Sequence, residues 1–135
     1  MSLTTPEVLR LRSTLNLWVS LFNAHDIDGL MELYDPEATY APHTGARKST
    51  LSAIRESFIA DFAISPVVTF EEEALIVEGS LGYATGQFSM RGSNPQDHSK
   101  IEDFGRVVVI FRKSDDDQWK LVFDMDNRPP DVRKA

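Results

Sequence analysis

Two short stretches of the chain carry side chains able to transfer protons. Residues 39–45 read TYAPHTG, in which Tyr40 and His43 can each donate or accept a proton. Asp124 and Asp126 are separated by one residue, so on a β-strand both side chains face the same side. If Asp126 is partly desolvated beside Asp124, burial and repulsion raise the pKa of one carboxyl group and leave a proton available for transfer. The candidate acid–base residues are therefore Asp126, His43 and Tyr40.

Both stretches also have a purely structural interpretation. A turn before a helix explains the proline and the glycine of TYAPHTG, and an exposed histidine is ordinary in such a loop. Asp124 can instead pair with Arg106 or Arg112 while Asp126 lies at a solvated rim. The residues alone leave both alternatives open.

Helical spacing of apolar residues dominates the first half of the chain. Helix starts are predicted at Thr4 or Thr5, at Asp26, and at Ser49 or Thr50. The apolar stripes that follow these starts consist of Val8, Leu11, Leu15, Trp18 and Phe22; of Ile27, Leu30, Met31 and Tyr34; and of Leu51, Ile54, Phe58 and Phe62. Because Pro36 ends the second stripe, the second helix is predicted to be about two turns long and to carry Tyr34.

Beyond Pro66 the apolar period changes from 3.6 to 2, which is typical of strands. Four strands are predicted, at residues 67–79, 81–92, 103–113 and 118–127, and residues 39–41 form only a brief extended piece. Neighbouring strands joined by short turns pair antiparallel. The sequence thus predicts an α+β fold, with three N-terminal helices packed on a strongly curved antiparallel sheet. We interpret residues 1–135 as one domain, with a core at about 7–128 and a short C-terminal tail.

The strand at residues 103–113 is apolar on both sides. Val107, Val109 and Phe111 point one way, whereas Val108 and Ile110 point the other. Antiparallel sheets normally leave one face in water, so both faces need a cover. The helices can cover one face, and a second copy of the chain is expected on the other. The sequence therefore predicts a homodimer through the sheet, with cover by the same chain as the alternative.

Composition excludes several classes of function. The chain has 14 basic and 21 acidic residues and no basic stripe interleaved with aromatics, so no nucleic acid partner is expected. It has no cysteine, which excludes disulfides and thiolate nucleophiles. The spacing of His25, His43 and His98 predicts neither a metal site nor a cofactor. No signal peptide and no run of 18 apolar residues is found, so we expect a cytoplasmic protein that does not enter a membrane.

Two longer stretches carry a resemblance to a known family. They are WVSLFNAHDIDGLMELYDPEATYAP at residues 18–42 and DFGRVVVIFRKSDDDQWKLVFDMDN at residues 103–127. Over about residues 7–128 the chain resembles the nuclear transport factor 2-like superfamily, in its SnoaL-like and ketosteroid-isomerase-like branch. This resemblance implies a cone-shaped, cystatin-like fold with a pocket between the concave sheet and the helices. Members are commonly homodimers.

The catalytic residues of the resembled ketosteroid isomerases are not carried over. The general base of those enzymes corresponds to Ala41, their oxyanion tyrosine to Trp18, and their second acid to a position near Val109. The Arg-x-Asp pair of the related epoxide hydrolase is also missing, because two valines follow Arg106. A position that is usually tryptophan in the resembled branch is Asp126 in this chain. We therefore expect no ketosteroid isomerisation by the usual route.

The resemblance also predicts which residues face the pocket, with the TYAPHTG stretch at its rim. The predicted ligand-binding residues are Trp18, Tyr34, Phe58, Phe62, Phe88, Met90, Arg106, Asp124 and Asn127. Two functions follow from this prediction. One is a cofactor-independent enzyme that performs isomerisation, cyclisation or dehydration on a small, largely apolar molecule. The other is a non-catalytic dimeric module that binds a hydrophobic ligand or a partner chain.

Overall fold

The computed structural model describes residues 5–132 and contains three α-helices and five strands. The helices are α1 at Pro6–Asn23, α2 at Ile27–Met31 and α3 at Leu51–Asp61, which continues into a short 3-10 turn at Phe62–Ile64. The strands are β1 at Tyr34–Ala41, β2 at Val67–Glu78, β3 at Leu81–Ser93, β4 at Lys100–Lys113 and β5 at Trp119–Asn127. They form one sheet in the order β1-β5-β4-β3-β2. No helix within residues 5–132 is long and apolar enough to cross a membrane.

The helices begin where side-chain caps predict. The side chains of Thr5, Asp26 and Thr50 accept hydrogen bonds from the backbone N–H three residues later, at 3.2, 3.0 and 3.1 Å. Each cap satisfies one of the N–H groups that a helix leaves without a partner at its start. The alternative cap Thr4 lies outside the described residues. The predicted arrangement of three N-terminal helices on a curved sheet is confirmed.

The second helix is shorter than predicted, and Tyr34 belongs to a strand. α2 ends at Met31, and Tyr34 begins β1 opposite Leu121 of β5. Tyr34 is buried and continues the apolar spacing of α2, so the sequence pattern placed it in that helix. Pro36 is tolerated in β1 because this strand lies at the sheet edge and its register shifts between Tyr34 and Thr39.

The sheet has one strand more than predicted and is not wholly antiparallel. β2 to β5 pair antiparallel in chain order, whereas β1 pairs parallel with β5. A parallel partner so distant in the chain leaves no local signal, so the sequence showed only the short piece at residues 39–41. Register shifts between Glu72 and Ala74 and between Ile110 and Phe111 increase the local twist and bend of the strands.

One face of the sheet packs on the helices and forms the core. A side chain of α1, Leu11, lies directly against Gly82, where an added Cβ would be 2.7 Å from its Cδ2 atom. The largest fully buried side chains are those of Phe58, Phe111, Leu11, Leu30, Ile54 and Leu121. At roughly 1.5–3 kcal/mol for each such side chain, their burial is a main source of stability. α1 and α3 therefore hold the concave face of the sheet in place.

The opposite face of the sheet, which we call the outer face, is partly apolar. Val108 and Ile110 lie on it half-buried, and Tyr83 and Met125 are 37% and 40% exposed. Tyr83 pairs with Ile110, and Val108 pairs with Met125. The four residues therefore form a continuous patch across β3, β4 and β5. The alternation predicted for β4 thus holds in the structure.

Candidate functional site

A cavity of about 490 Å³ opens between the concave face of the sheet and helices α1 and α3. Its wall is mostly apolar and includes Trp18, Phe22, Phe58, Phe70, Phe88 and Met90. This volume lies within the usual range for small-molecule sites, which are lined by apolar side chains with a few polar groups. The polar groups here are concentrated where β1, β4 and β5 meet the loop after β1.

The centre of the polar end is His43, which lies between two carboxylates. Its backbone N–H donates to Asp126 Oδ1 at 2.9 Å, and its ring Nδ1 contacts the same oxygen. Its other ring nitrogen, Nε2, lies 3.1 Å from Asp103 Oδ1. The three side chains are between 14% and 19% exposed, so they are shielded from bulk water but reachable from the cavity. We call this group the Asp126–His43–Asp103 array.

The protonation of the array decides whether both ring contacts of His43 are hydrogen bonds. A neutral ring donates from only one nitrogen, whereas both nitrogens of His43 face carboxylate oxygens. Both contacts are hydrogen bonds only if the ring carries two protons or one of the carboxylates is protonated. The three side chains are therefore placed to pass a proton from one to another at the cavity wall.

Local structure places each member of the array. Pro42 ends β1 and directs the chain so that His43 faces the cavity, and strand alternation turns Asp124 and Asp126 of β5 inward. Asp103 faces inward from β4 by the same alternation, and Arg128 binds it through an ion pair. The Arg128 guanidinium also stacks over the ring of Phe104, 4.6 Å from its centroid.

A second hydrogen-bonded chain runs from the cavity into the core. Trp18 Nε1 donates to the Tyr34 hydroxyl at 2.9 Å, which in turn donates to Asp124 Oδ2 at 2.8 Å. Burial raises the pKa of Asp124 to about 7, and repulsion from Asp126 adds to this, although the Tyr34 hydrogen bond lowers it. Asp124 therefore titrates near neutral pH, where a group that gives and takes protons is most effective.

The alternative pairing of Asp124 with an arginine is wrong. Arg112 binds Asp35 at 2.8 Å and Glu37 at 3.0 Å. Arg106 binds Glu73 and Asp131, each at 2.9 Å, on the outer face. Asp124 is 5% exposed and accepts a hydrogen bond from the Tyr34 hydroxyl group instead.

Tyr40 lies in the cavity wall. Its ring stacks on Phe58 with centroids 5.1 Å apart, and the residue is 9% exposed. Burial, together with the charges of carboxylates led by Asp124 and Asp126, raises the pKa of Tyr40 well above 10. The hydroxyl therefore keeps its proton at neutral pH. It forms no hydrogen bond with any residue in the described range 5–132, so it remains available to a bound molecule.

Most of the predicted site residues lie together on the cavity wall. They are Tyr40, His43, Asp126, Asp124, Trp18, Phe58, Phe88 and Met90. Four others lie elsewhere. Tyr34 is behind the wall, and Phe62 packs against Phe22 and His25. Arg106 and Asn127 alternate with inward-facing Val107 and Asp126, so they lie on the outer face.

The sequence interpretation missed four charged residues of the wall, Asp61, Glu102, Asp103 and Arg128. A signal for Asp103 was present, because alternation continues from Val109 and Val107 through Gly105 to Asp103. Asp61 is the last residue of α3, three positions after the buried Phe58, so helical spacing could have placed it, whereas Arg128 follows the end of β5 and has no such signal. Within residues 5–132, no group of three His, Asp or Glu side chains is arranged to hold a metal ion.

Comparison with known proteins places the chain by sequence. Residues 15–122 match the family model of the SnoaL-like domain. The match includes α2, α3 and β1 to β4 completely, together with the second half of α1 and the start of β5. His43 and Asp103 lie inside the matched range, whereas Asp124 and Asp126 lie just beyond it.

Solved structures share the fold. A nuclear transport factor 2-like superfamily protein from Salmonella enterica serovar Typhimurium has a TM-score of 0.83 and 14% identity, over 93% of each chain. A ketosteroid isomerase-like protein from Erwinia carotovora atroseptica has a TM-score of 0.81 and 11% identity, over 93% of this chain and 100% of that one. A protein with a cystatin-like fold from Novosphingobium aromaticivorans has a TM-score of 0.75 and 16% identity, over 91% of this chain and 82% of that one. At these identities the likeness establishes the fold alone.

Proposed function

The chain belongs to the SnoaL-like domain family, and from this premise we propose that it is an acid–base enzyme acting on a small, largely apolar molecule in its cavity. One observation carries the proposal. At the polar end of an apolar cavity, both ring nitrogens of His43 contact carboxylates, those of Asp126 and Asp103. A purely structural turn has no need of this arrangement, which costs the desolvation of two carboxylates.

The geometry suggests a role for each polar residue. Asp126 and His43 exchange a proton with the substrate, and Asp103 orients the His43 ring from the other side. The Tyr40 hydroxyl donates a hydrogen bond to an oxygen on which negative charge develops. Such a set supports isomerisation, cyclisation or dehydration by proton transfer, without a cofactor.

Proton transfer to carbon tests the proposal without knowledge of the natural substrate. Small ketones are incubated with the protein in D₂O, and deuterium incorporation beside the carbonyl group is followed by NMR. We expect saturable acceleration above buffer for at least one ketone. Ketones that bind in the cavity but exchange at the buffer rate would instead support the non-catalytic binding module.

Standard ketosteroid isomerisation is expected to be absent. The equivalent of the catalytic base is Ala41, and Val109 has no hydrogen-bond donor to offer. The third equivalent residue, Trp18, already donates its indole N–H to Tyr34. Each lost acid–base role lowers the rate by roughly 100- to 10,000-fold. An absorbance assay with a Δ5-3-ketosteroid should show no conversion above buffer, and turnover of about 10 per second would contradict the prediction.

We also propose that the outer face pairs two copies of the chain into a homodimer. Its apolar patch includes Tyr83, Val108, Ile110 and Met125. Sedimentation at micromolar concentration should give about twice the chain mass of 15.2 kDa. Replacing Tyr83 by Glu should shift the protein to monomer, whereas the same change at Leu9, which is 50% exposed on α1, should not. A wild-type monomer would remove the proposal. The cytoplasmic location stays a prediction.

A further inference from the structure

Three nitrogen atoms meet at a single oxygen of Asp103. Its Oδ1 accepts a hydrogen bond from the backbone N–H of Phe104 at 2.9 Å and forms an ion pair with the guanidinium of Arg128. The same oxygen lies 3.1 Å from His43 Nε2. A guanidinium and a backbone N–H can only donate, and an ion pair with a guanidinium needs the carboxylate form of its partner. Asp103 is therefore the acceptor in its contact with His43 as well.

This arrangement decides which ring nitrogen of His43 keeps a proton. Because Asp103 accepts, Nε2 of His43 is the donor in that contact and carries a proton. On the other side, Nδ1 contacts Asp126 Oδ1, which also accepts from the His43 backbone N–H at 2.9 Å. Asp126 has no lysine or arginine partner among residues 5–132, and its Oδ2 forms no hydrogen bond with any of them. The mobile proton of the array therefore lies between Nδ1 and Asp126.

The guanidinium of Arg128 is held beside β4 by contacts on several sides. Arg128 directly follows β5, its Nε donates to the Phe104 carbonyl at 3.3 Å, and its guanidinium covers the ring of the same residue. Two prolines follow and restrict the backbone. Beyond them, Asp131 pairs with Arg106 on the outer face and Val132 is buried. The chain after β5 is thus anchored next to the cavity.

We propose that Arg128 is a positioning residue for proton transfer. By pairing with Asp103 it keeps one proton of the array on His43 Nε2, so that Nδ1 and Asp126 are left to exchange the other with the substrate. The hydrogen bond at one nitrogen of an imidazole sets the protonation of the other. Without the guanidinium, both carboxylates compete for the mobile proton and the ring divides between two tautomers. The inference rests on the proposed function, because it concerns the same array.

Nitrogen NMR of the His43 ring tests this role without a substrate. Long-range proton–nitrogen correlation spectra of ¹⁵N-labelled protein distinguish protonated from unprotonated ring nitrogens, and a His43→Gln variant identifies the signals. As the pH is raised, we expect Nδ1 to lose its proton and Nε2 to keep it. In Arg128→Gln the signals of the two nitrogens should move towards each other, whereas Arg128→Lys, which retains the positive charge, should remain close to the wild type.

Arg55 provides the matched control. Its side chain is 43% exposed, against 46% for Arg128, and it forms an ion pair with Asp28 far from the array. Arg55→Gln should therefore leave the His43 signals unchanged. A thermal melt of each variant shows that it is folded. If Nε2 of the wild type loses its proton before Nδ1, the positioning role is overturned, and this result does not depend on any variant.

Exchange kinetics separate positioning from substrate binding. Arg128→Gln should lower kcat for a ketone about 10-fold, which is a fraction of a complete acid–base role, and leave KM unchanged. Arg128→Lys should recover most of the rate, and Arg55→Gln should match the wild type. A higher KM with unchanged His43 signals would show that Arg128 binds the substrate, and wild-type signals together with a wild-type rate would show no role. Either result overturns the inference and leaves the proposed function standing. If the signals change as expected but no ketone exchanges faster than in buffer, the proposed function fails instead.

Discussion

Replacing Asp126 by Asn is expected to slow proton exchange catalysed by this protein about 100- to 10,000-fold. Asp126 Oδ1 receives both the backbone N–H and the ring Nδ1 of His43. An asparagine oxygen can still accept a hydrogen bond at this place, so the loop keeps its position. The amide cannot take up a proton, however, so His43 loses the carboxylate with which it exchanges one. The rate of deuterium incorporation into a ketone that the wild type processes is the measurement.

A matched change separates this effect from loss of charge alone. Asp115→Asn removes one carboxylate from the exposed turn between β4 and β5 and should leave the exchange rate within about twofold. Equal rates for Asp126→Asn and the wild type would show that Asp126 only supports the loop. The thermal midpoints of both variants establish that each is folded at the assay temperature.

The second large effect concerns stability at Asp124. Burial raises the pKa of this carboxyl group from its ordinary 3.8 to about 7. An acid whose pKa is higher in the folded state binds more protons when folded, so it lowers the free energy of unfolding as pH rises from about 4 to about 7. At about 1.4 kcal/mol per pH unit, the loss approaches about 4 kcal/mol above pH 7.

Asp124→Asn should remove this loss, because asparagine is uncharged and its oxygen still accepts from Tyr34. We expect the variant to be roughly 2–4 kcal/mol more stable than the wild type at pH 8 and about equal at pH 4. Urea unfolding at several pH values measures the difference, and Asp115→Asn, a change in the exposed β4–β5 turn that leaves Asp124 in place, is the matched control. A difference that is flat between pH 4 and 8 would show that Asp124 stays charged in the folded protein.

The parts of the fold that sequence predicts are the local ones. Helix starts at Asp26 and Thr50 depend on one side chain and a backbone N–H three residues away, so they are readable from the chain. The parallel pairing of Tyr40 with Asp124 joins residues far apart in sequence and has no local signature. Tyr34 was misplaced because a buried strand residue happened to continue the spacing of the preceding helix.

The same division applies to the candidate site. The two stretches with proton-carrying residues were identified separately, and folding brings them together through the contact of His43 with Asp126. The contact of His43 with Asp103 depends on how β4 curves beside β5, which no pattern encodes. Asn127, by contrast, was wrongly assigned to the cavity. Neighbouring side chains of a strand point to opposite faces of the sheet, so Asn127 and Asp126 of β5 cannot both face the cavity.

The central claim is that His43 and Asp126 act as one acid–base unit on a molecule in the cavity, and a double-mutant cycle tests it most directly. Exchange rates for one ketone are measured with the wild type, Asp126→Asn, His43→Gln and the double variant. If the two residues form one unit, the double variant should be no more than about threefold slower than the slower single variant. Either single change already abolishes the proton transfer, so the second change causes little further loss. Rate losses that multiply, or single variants as fast as the wild type, would contradict the claim.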